Sequence, residues 1–386
     1  MEQDKMIVQL AGRIDSDNAA DTEKNILRML EGYSHDAIVF DAKDLLYISS
    51  AGLRVILRLK KSYPDITVIN VSSGVYEIFE MTGFNQFLKI ERAYREISTE
   101  GCEVIGQGAN GTIYRIDKDN VVKVYDESES PDNIKQESDV AKFALLLGIP
   151  TAISYEVVKV GNCYGSVFEM INAASFTNII INEPDRIDWC VKESVDLLKK
   201  IHEITAPAGK LPDMKEKAIM WADEARPLIP EEAVKKFVEL IKAIPDDDHV
   251  IHGDYHTKNM MYANDELLLI DMETLSCGHP IFEFSAMYNA YVGFSEFDHD
   301  NMMYFQGYDY DTACALWKKS LASYFETDDE AFLRDVERKA SVIGYLRMIR
   351  FVSRNIKEGD ERKSSMIDRW KNRFLEELGQ IDSLMY

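Results

Sequence analysis

Val250-Ile-His-Gly-Asp-Tyr-His-Thr-Lys-Asn-Met-Met-Tyr262, followed after Asn264-Asp265 by Leu267-Leu-Leu-Ile-Asp-Met-Glu273, is the stretch from which fold and chemistry are both read. Short apolar runs flank a polar loop, and Asn264-Asp265 reads as the tight turn of a β-hairpin. Such a hairpin returns Asp271 towards Asp254 and Asn259, gathering two carboxylates and an amide oxygen. Hard oxygen donors of this kind suit magnesium. His252, Asp254 and His256 also leave a zinc site open, since imidazole and carboxylate bind transition metals, but no third histidine or cysteine is placed to complete a shell. The other reading of the two histidines is structural: imidazoles that hydrogen-bond the loop backbone and Asp271.

Upstream lies Gly106-Gln-Gly-Ala-Asn-Gly-Thr-Ile-Tyr114, with Gly106, Gly108 and Gly111 in G-x-G-x-x-G spacing. Glycine brings backbone amides close to phosphate oxygens, although a plain glycine-rich hairpin has the same spelling. A Rossmann loop would open a helix, whereas strand-like Thr112 to Ile116 follows here, so the glycines cover a hairpin. Lys123 sits among apolar neighbours in Val121-Val-Lys-Val-Tyr125. Unless it is an exposed lysine on an edge strand, it needs an anionic partner. Glu137, on a helix predicted over Ile134 to Leu147, is the natural one. Phosphoryl transfer asks for a residue at the acceptor hydroxyl, metal ligands beneath the phosphates and a cation above them. Asp254 would take the first role, Asn259 and Asp271 the second, and Lys123 the third.

The whole chain has 386 residues, more than one hydrophobic core usually organises, and 46% of them are hydrophobic, enough for a substantial buried interior. A formal charge of −23 argues against nucleic acid as a partner, because phosphate backbones attract excess Lys and Arg. It would suit a cationic substrate, or simply a solvated surface. The start of the chain lacks a signal peptide and no run is long enough to span a bilayer, so the expectation is a cytoplasmic protein without membrane partners. Five widely spaced cysteines with no C-x-x-C indicate neither a disulfide framework nor a zinc site.

From Lys5 to Ile97, apolar runs (Met6 to Leu10, Ala37 to Phe40, Ile66 to Val71) alternate with helical stripes such as Ile26, Leu27, Leu30 and Tyr33, the pattern of an α/β layer. A short linker, Ser98 to Gly101, separates it from a second set of strands that gives way to long helices. Within the first segment, Ile48-Ser-Ser-Ala-Gly-Leu53 joins a strand to a helix, with Ser50 at the expected N-cap and Gly52 allowing close backbone approach. A phosphate on Ser50 would meet unpaired amides at the positive end of that helix, so Ser50 is either a cap or a charge switch.

Several stretches of residues 1–98 resemble the STAS domains of anti-sigma-factor antagonists and sulfate-transporter tails. These are Gly12-Arg-Ile-Asp15 with Asn18-Ala19, Ile38-Val-Phe-Asp41, Ile48 to Leu53, Val71-Ser72 and Met81-Thr-Gly-Phe84. The resemblance implies that Ser50 is the serine phosphorylated by a partner kinase to block docking of a protein partner. Many regulated members carry Asp just before it, where this chain has Ser49.

His252-Gly-Asp-Tyr-His-Thr-Lys-Asn259 and Ile270-Asp-Met-Glu273 resemble the H-G-D-x-H-x-x-N and I-D-x-E motifs of the aminoglycoside phosphotransferase and choline kinase branch of the protein-kinase-like fold. Gly148-Ile-Pro150, Phe168-Glu-Met-Ile171 and Leu198-Lys-Lys-Ile-His202 support the match over about residues 102 to 320. The expected architecture is therefore an α/β STAS-type sheet with helices (residues 1–98), then an α+β two-lobed kinase-like domain (102–386). Its first lobe would run to about residue 170, and the lobe beyond it is helix-rich. The resemblance implies ATP or GTP with magnesium. Gly106, Gly108, Gly111, Lys123 and Glu137 would bind the nucleotide, with Glu169 and Ile171 at the adenine hinge. The acceptor would be a hydroxyl of a small molecule.

One departure stands out: where relatives read G-D-P-x-x-D-L, this chain has Gly278-His-Pro-Ile-Phe-Glu-Phe284, so helix anchoring or substrate choice could differ. The alternative function is a signalling adaptor of anti-sigma-antagonist type, whose kinase-like part only binds nucleotide and whose Ser50 is the switch.

Overall fold

In the computed structural model of the protein, residues 5–31, 38–108, 111–356 and 361–386 are described. Tyr33 and Ala37 of the amino-terminal pattern, and Ala109 and Asn110 of the glycine loop, lie outside them. The chain divides into two compact units, residues 1–100 with 157–165, and residues 101–156 with 166–386.

The first unit alternates strand and helix: β1 (Met6–Ile14), α1 (Ala19–Leu30), β2 (Ile38–Ile48), α2 (Ser50–Ser62), β3 (Ile66–Val71), α3 (Ser73–Met81) and β4 (Lys89–Arg92). The strands lie in sequence order in one parallel sheet. Parallel neighbours need crossover connections, and the helices supply them. The predicted runs fill the core: Val8, Leu10, Phe40, Val68 and Val71 are buried, as are Ile26 and Leu30 from α1 and Leu53, Ile56 and Leu59 from α2. Gly52 is required where α2 leaves the sheet. A Cβ there would lie 2.7 Å from Ile14 Cγ2 and 2.8 Å from the Ile14 carbonyl oxygen. The same unit takes in part of a later hairpin: β5 (Arg95–Glu96) pairs in parallel with Val158 and Lys159, and Lys159 Nζ donates to the Glu96 carboxylate at 3.1 Å.

The second unit opens with the meander β6 (Glu103–Gly108), β7 (Gly111–Arg115) and β8 (Asn120–Val124), followed by α4 (Pro131–Leu146), while β9 (Ser154–Val160) and β10 (Cys163–Glu169) are divided between the two units. β8 lies between β7 and β10, so Lys123 is on an interior strand and the edge-strand reading is excluded. After β11 (Ala174–Ser175) come the helices α5 (Phe176–Asn182), α6 (Ile187–His202), α7 (Met214–Ala225) and α8 (Glu231–Ala243). Four short strands carry the decisive sequence: β12 (Val250–Ile251), β13 (Met260–Ala263), β14 (Glu266–Leu269) and β15 (Ser276–Cys277). α9 (Ile281–Tyr288), α10 (Asp300–Phe305), α11 (Tyr310–Phe325), α12 (Glu330–Asn355) and α13 (Glu361–Gly379) complete the chain. Every residue of α9 is buried, the apolar ones around Glu283 and Ser285 as a helix enclosed on all sides demands. The core around it includes Trp317, Tyr345 and Phe374.

Candidate active site

β13 and β14 form the predicted hairpin, Met260 opposite Leu269 and Ala263 opposite Glu266. Asn264 and Asp265 both adopt left-handed φ, 51° and 61°, the geometry of a two-residue turn that matches strand twist. The pairing continues past the strands, with the Ile270 N–H donating to the Asn259 carbonyl at 2.9 Å. Asp271 is thereby delivered beside the polar loop, and it takes a φ of 65°, unusual for a residue with a side chain. One of its oxygens, Oδ1, is buried without a hydrogen-bond partner among the described residues.

Oxygens of Glu137, Asp271 and Glu273 all lie within 4.8 Å of one another. Burial and the charges of Asp271 and Glu137 push the Glu273 carboxyl up to about 7. Three converging carboxylates repel unless a cation joins them, and an unpartnered buried carboxylate oxygen is a ligand in waiting. This chemistry fits a divalent ion, with Asp271 central. Glu273, the last residue of the quoted motif, was not assigned a metal role from sequence.

Lys123 Nζ donates to Glu137 Oε1 at 2.7 Å, both side chains largely buried. Burial opposes the charge on Lys123, but Asp271 and Glu137 more than offset it and hold its pKa above the usual lysine value. Across the sheet, Lys123 pairs with Ile113, which in turn pairs with Gly106, so the glycine hairpin and the lysine share one row. Gly108 pairs with Gly111, which has φ 142° and no room for a Cβ against the Val124 carbonyl. At the hinge, Glu169 ends β10, its N–H donating to Ile153 O at 2.9 Å. Met170 N–H donates to Asp119 O at 2.8 Å and Ala173 N–H to Ile171 O at 3.0 Å.

Asp254 is held from several directions. Asn259 Nδ2 donates to its carbonyl and to Oδ2, both at 3.0 Å, and His256 Nε2 lies 3.4 Å from Oδ2. Burial pushes the Asp254 carboxyl up, yet the His256 contact and the charges of His256 and Arg347 prevail and hold it well below the ordinary range. Buried His252 is kept neutral by desolvation, and its Nδ1 accepts the Asp254 N–H at 3.2 Å. The structural reading of the histidines thus stands for the loop backbone and Asp254, while no hydrogen bond from either to Asp271 is seen among the described residues. Tyr255 OH donates to Ser194 O at 2.6 Å, tying the loop to α6.

The departure at His279 and Glu283 resolves into anchoring. Glu283 is fully buried and accepts the N–H groups of His252 at 2.5 Å and Gly253 at 2.9 Å. His279 Nδ1 accepts the Ile281 N–H at 3.1 Å at the start of α9. Arg347 of α12 adds a bond that no local signal announces, Nη1 to the Gly253 carbonyl at 3.0 Å.

In the first unit one expectation is corrected. The N-cap of α2 is Ser49, not Ser50: Ser49 Oγ accepts from Ala51 N at 3.2 Å and Gly52 N at 3.4 Å. Its φ of −91° and ψ of 174° are extended, as a cap requires, while Ser50 is already the first helical residue and is exposed. An Asp at position 49 would accept the same amides, so the departure from relatives is chemically neutral for capping.

Residues 101–317 match the model of the phosphotransferase enzyme family, more than half of the chain. The chain belongs to that family. It is accordingly an enzyme, a kinase with an alcohol group as acceptor. Residues 2–97 match the STAS domain, so this phosphotransferase carries a STAS unit at its amino terminus. Among solved structures it is similar to aminoglycoside phosphotransferase APH(4)-Ia in ternary complex with AMP-PNP and hygromycin B (10% identity, 73% of this chain and 94% of that one, TM-score 0.50). It is also similar to ADP-bound APH(2'')-Ib (15% identity, 78% and 98%, TM-score 0.49). A third similar structure is a choline/ethanolamine kinase family protein from Mesorhizobium loti (13%, 72% and 91%, TM-score 0.45). At these identities what is shared is the fold. Among the described residues no helix is long and apolar enough to cross a membrane.

Proposed function

We propose that this phosphotransferase moves the γ-phosphoryl group of ATP, or GTP, to a hydroxyl of a small molecule, with magnesium as the resident ion. The observation that carries the reading is the convergence of Glu137, Asp271 and Glu273 beside the Lys123 ammonium, with a buried Asp271 oxygen awaiting a ligand. Lys123 receives the α- and β-phosphates, held in place by Glu137. The Gly106, Gly108 and Gly111 hairpin covers the phosphates, and the backbone of Glu169 and Ile171 receives the base. Asp271 and Asn259, joined by Glu273, hold the ion. Such an ion, when bound, offsets charge on the transferring phosphate.

The acceptor oxygen forms its bond to the γ-phosphorus as the bond to the β–γ bridging oxygen breaks. That electron pair leaves with the nucleoside diphosphate, and the hydroxyl proton passes to Asp254. A carboxylate held below the ordinary range is a weak base, so Asp254 orients the hydroxyl first and takes its proton late, as a loose transition state allows. The STAS unit serves as a regulatory, partner-binding domain, and exposed Ser50 at the first turn of α2 is accessible to a kinase.

The test is nucleotide binding and acceptor-dependent phosphate transfer by the wild type, Asp254→Asn and Asp271→Asn. The expected result is turnover lost in both variants and magnesium-nucleotide affinity lost only in Asp271→Asn. Wild-type protein that binds no nucleotide would overturn the reading.

A further inference from the structure

Beside the catalytic loop stands a group of cations that the transfer chemistry does not use. Lys217, Trp221 and Glu224 recur along one face of α7, while Arg347, Arg350 and Arg354 recur along one face of α12. Glu224 is consumed by Arg350 and by Arg354, the latter at 3.2 Å. Lys217 and Arg347 are left. Among the described residues no carboxylate lies within salt-bridge distance of either, in a protein whose formal charge is −23.

Both reach the reacting loop through neutral atoms. Arg347 Nη1 donates to the Gly253 carbonyl, next to Asp254, at 3.0 Å, which uses one of its five N–H groups. Lys217 Nζ donates to Ser276 Oγ at 2.8 Å. Ser276 Oγ in turn donates to Thr274 O at 2.7 Å, and Thr274 Oγ1 to His252 O at 2.7 Å. Ser276 is also paired with Ile251 at the entry to the loop. Lys217 and Arg347 therefore flank the segment that carries Asp254, on α7 and α12, whereas Lys123 and Glu137 are presented by β8 and α4. Both residues are half-buried.

Two like charges held near one another with no carboxylate in ion-pair contact cost free energy, and burial together with the Arg347 charge lowers Lys217 to about 8. The charges of Asp254 and Glu283 favour charged Arg347, but burial outweighs them and its pKa also falls. An anion placed between the pair would remove that cost.

Resting on the phosphotransferase reading above, we infer that the acceptor is an alcohol that also bears an acid group, a carboxylate or a phosphate, bound by Lys217 and Arg347 while its hydroxyl faces Asp254. This reverses what the chain's net charge suggests, because the charge that matters is the local one. Hydroxyl and acid group sit on the same small skeleton, and the Arg347 fork bonded at Gly253 sets how far apart they can lie.

The experiment measures phosphorylated product by mass at pH 7 with three acceptor classes: D-glycerate and glycerol phosphate, neutral glycerol, and cationic choline and ethanolamine. Wild type, Lys217→Met and Lys217→Arg are compared, with nucleotide binding measured in parallel. The expected result is turnover of an acid-bearing alcohol, with its KM raised at least about 10-fold by Lys217→Met and restored to within about 3-fold by Lys217→Arg. Glycerate and glycerol phosphate separate carboxylate from phosphate as the recognised group. Preference for neutral or cationic alcohols, no turnover of either acid, or indifference of the acid's KM to Lys217→Met would each overturn the inference and leave the phosphotransferase standing. Absence of nucleotide binding would instead remove the reading on which it rests.

Discussion

The fully buried Glu283 carboxylate accepts the backbone N–H of His252 at 2.5 Å, and its other oxygen takes the next amide, Gly253, at 2.9 Å. A side chain on α9 thus fixes the residues that immediately precede Asp254. Replacing it by alanine leaves two buried amides unpaired, at about 1–3 kcal/mol each. Glu283→Ala is expected to lose about 3 kcal/mol or more in urea unfolding and at least about 100-fold in kcat. Glu283→Asp, one methylene shorter, falls between. A Glu283→Ala enzyme with wild-type kcat would show that the loop positions itself.

Glu273 gives a pH dependence whose sign follows from its raised pKa. An acid that titrates near 7 in the folded protein, against an ordinary value of 4.5, binds its proton more tightly when folded. Its contribution to stability is intact below about 4.5 and is lost as pH rises through about 7. In EDTA, the unfolding midpoint in urea is expected to decline over that window and level off above it. Glu273→Gln, which keeps the shape and removes the charge, flattens the decline. An unchanged slope in the variant would assign the effect elsewhere.

Ser49 and Ser50 separate by chemistry although they are adjacent. Ser49→Ala removes the α2 cap and is expected to cost about 1 kcal/mol in thermal or urea unfolding, with Ser49→Asp restoring it. Ser50→Ala is expected to change stability by less than about 0.5 kcal/mol, because its exposed hydroxyl caps nothing. If partner binding responds to Ser50→Asp while stability does not, position 50 acts as a switch and not as a strut. Equal destabilisation by the two alanine variants would contradict the assignment of the cap.

Much of this arrangement is legible in the chain because it is written in short segments. The β13–β14 hairpin follows from Asn264-Asp265, whose side chains tolerate left-handed backbone between two apolar runs. The parallel unit follows from apolar runs alternating with helical stripes, and the Lys123–Glu137 pair from a lysine that an apolar strand could not otherwise bury. The sequence leaves the cap ambiguous by one residue because Ser49 and Ser50 are the same amino acid. Only backbone dihedrals distinguish them, Ser49 remaining extended where Ser50 turns helical.

The sequence by itself determined which chemistry this protein carries, since the residues of the loop and hairpin lie within one stretch and local geometry brings them round. The tertiary structure alone decided what holds that stretch and what faces it. Glu283 replaces an expected aspartate yet accepts two backbone amides, and Arg347 reaches the Gly253 carbonyl across 94 positions of chain. No periodicity or spacing encodes such contacts, because they arise where helices cross and depend on packing angles set by the whole core. The overall charge of −23 likewise gave no hint of the Lys217 and Arg347 pair, for charge acts over distances of a few ångströms once water is displaced.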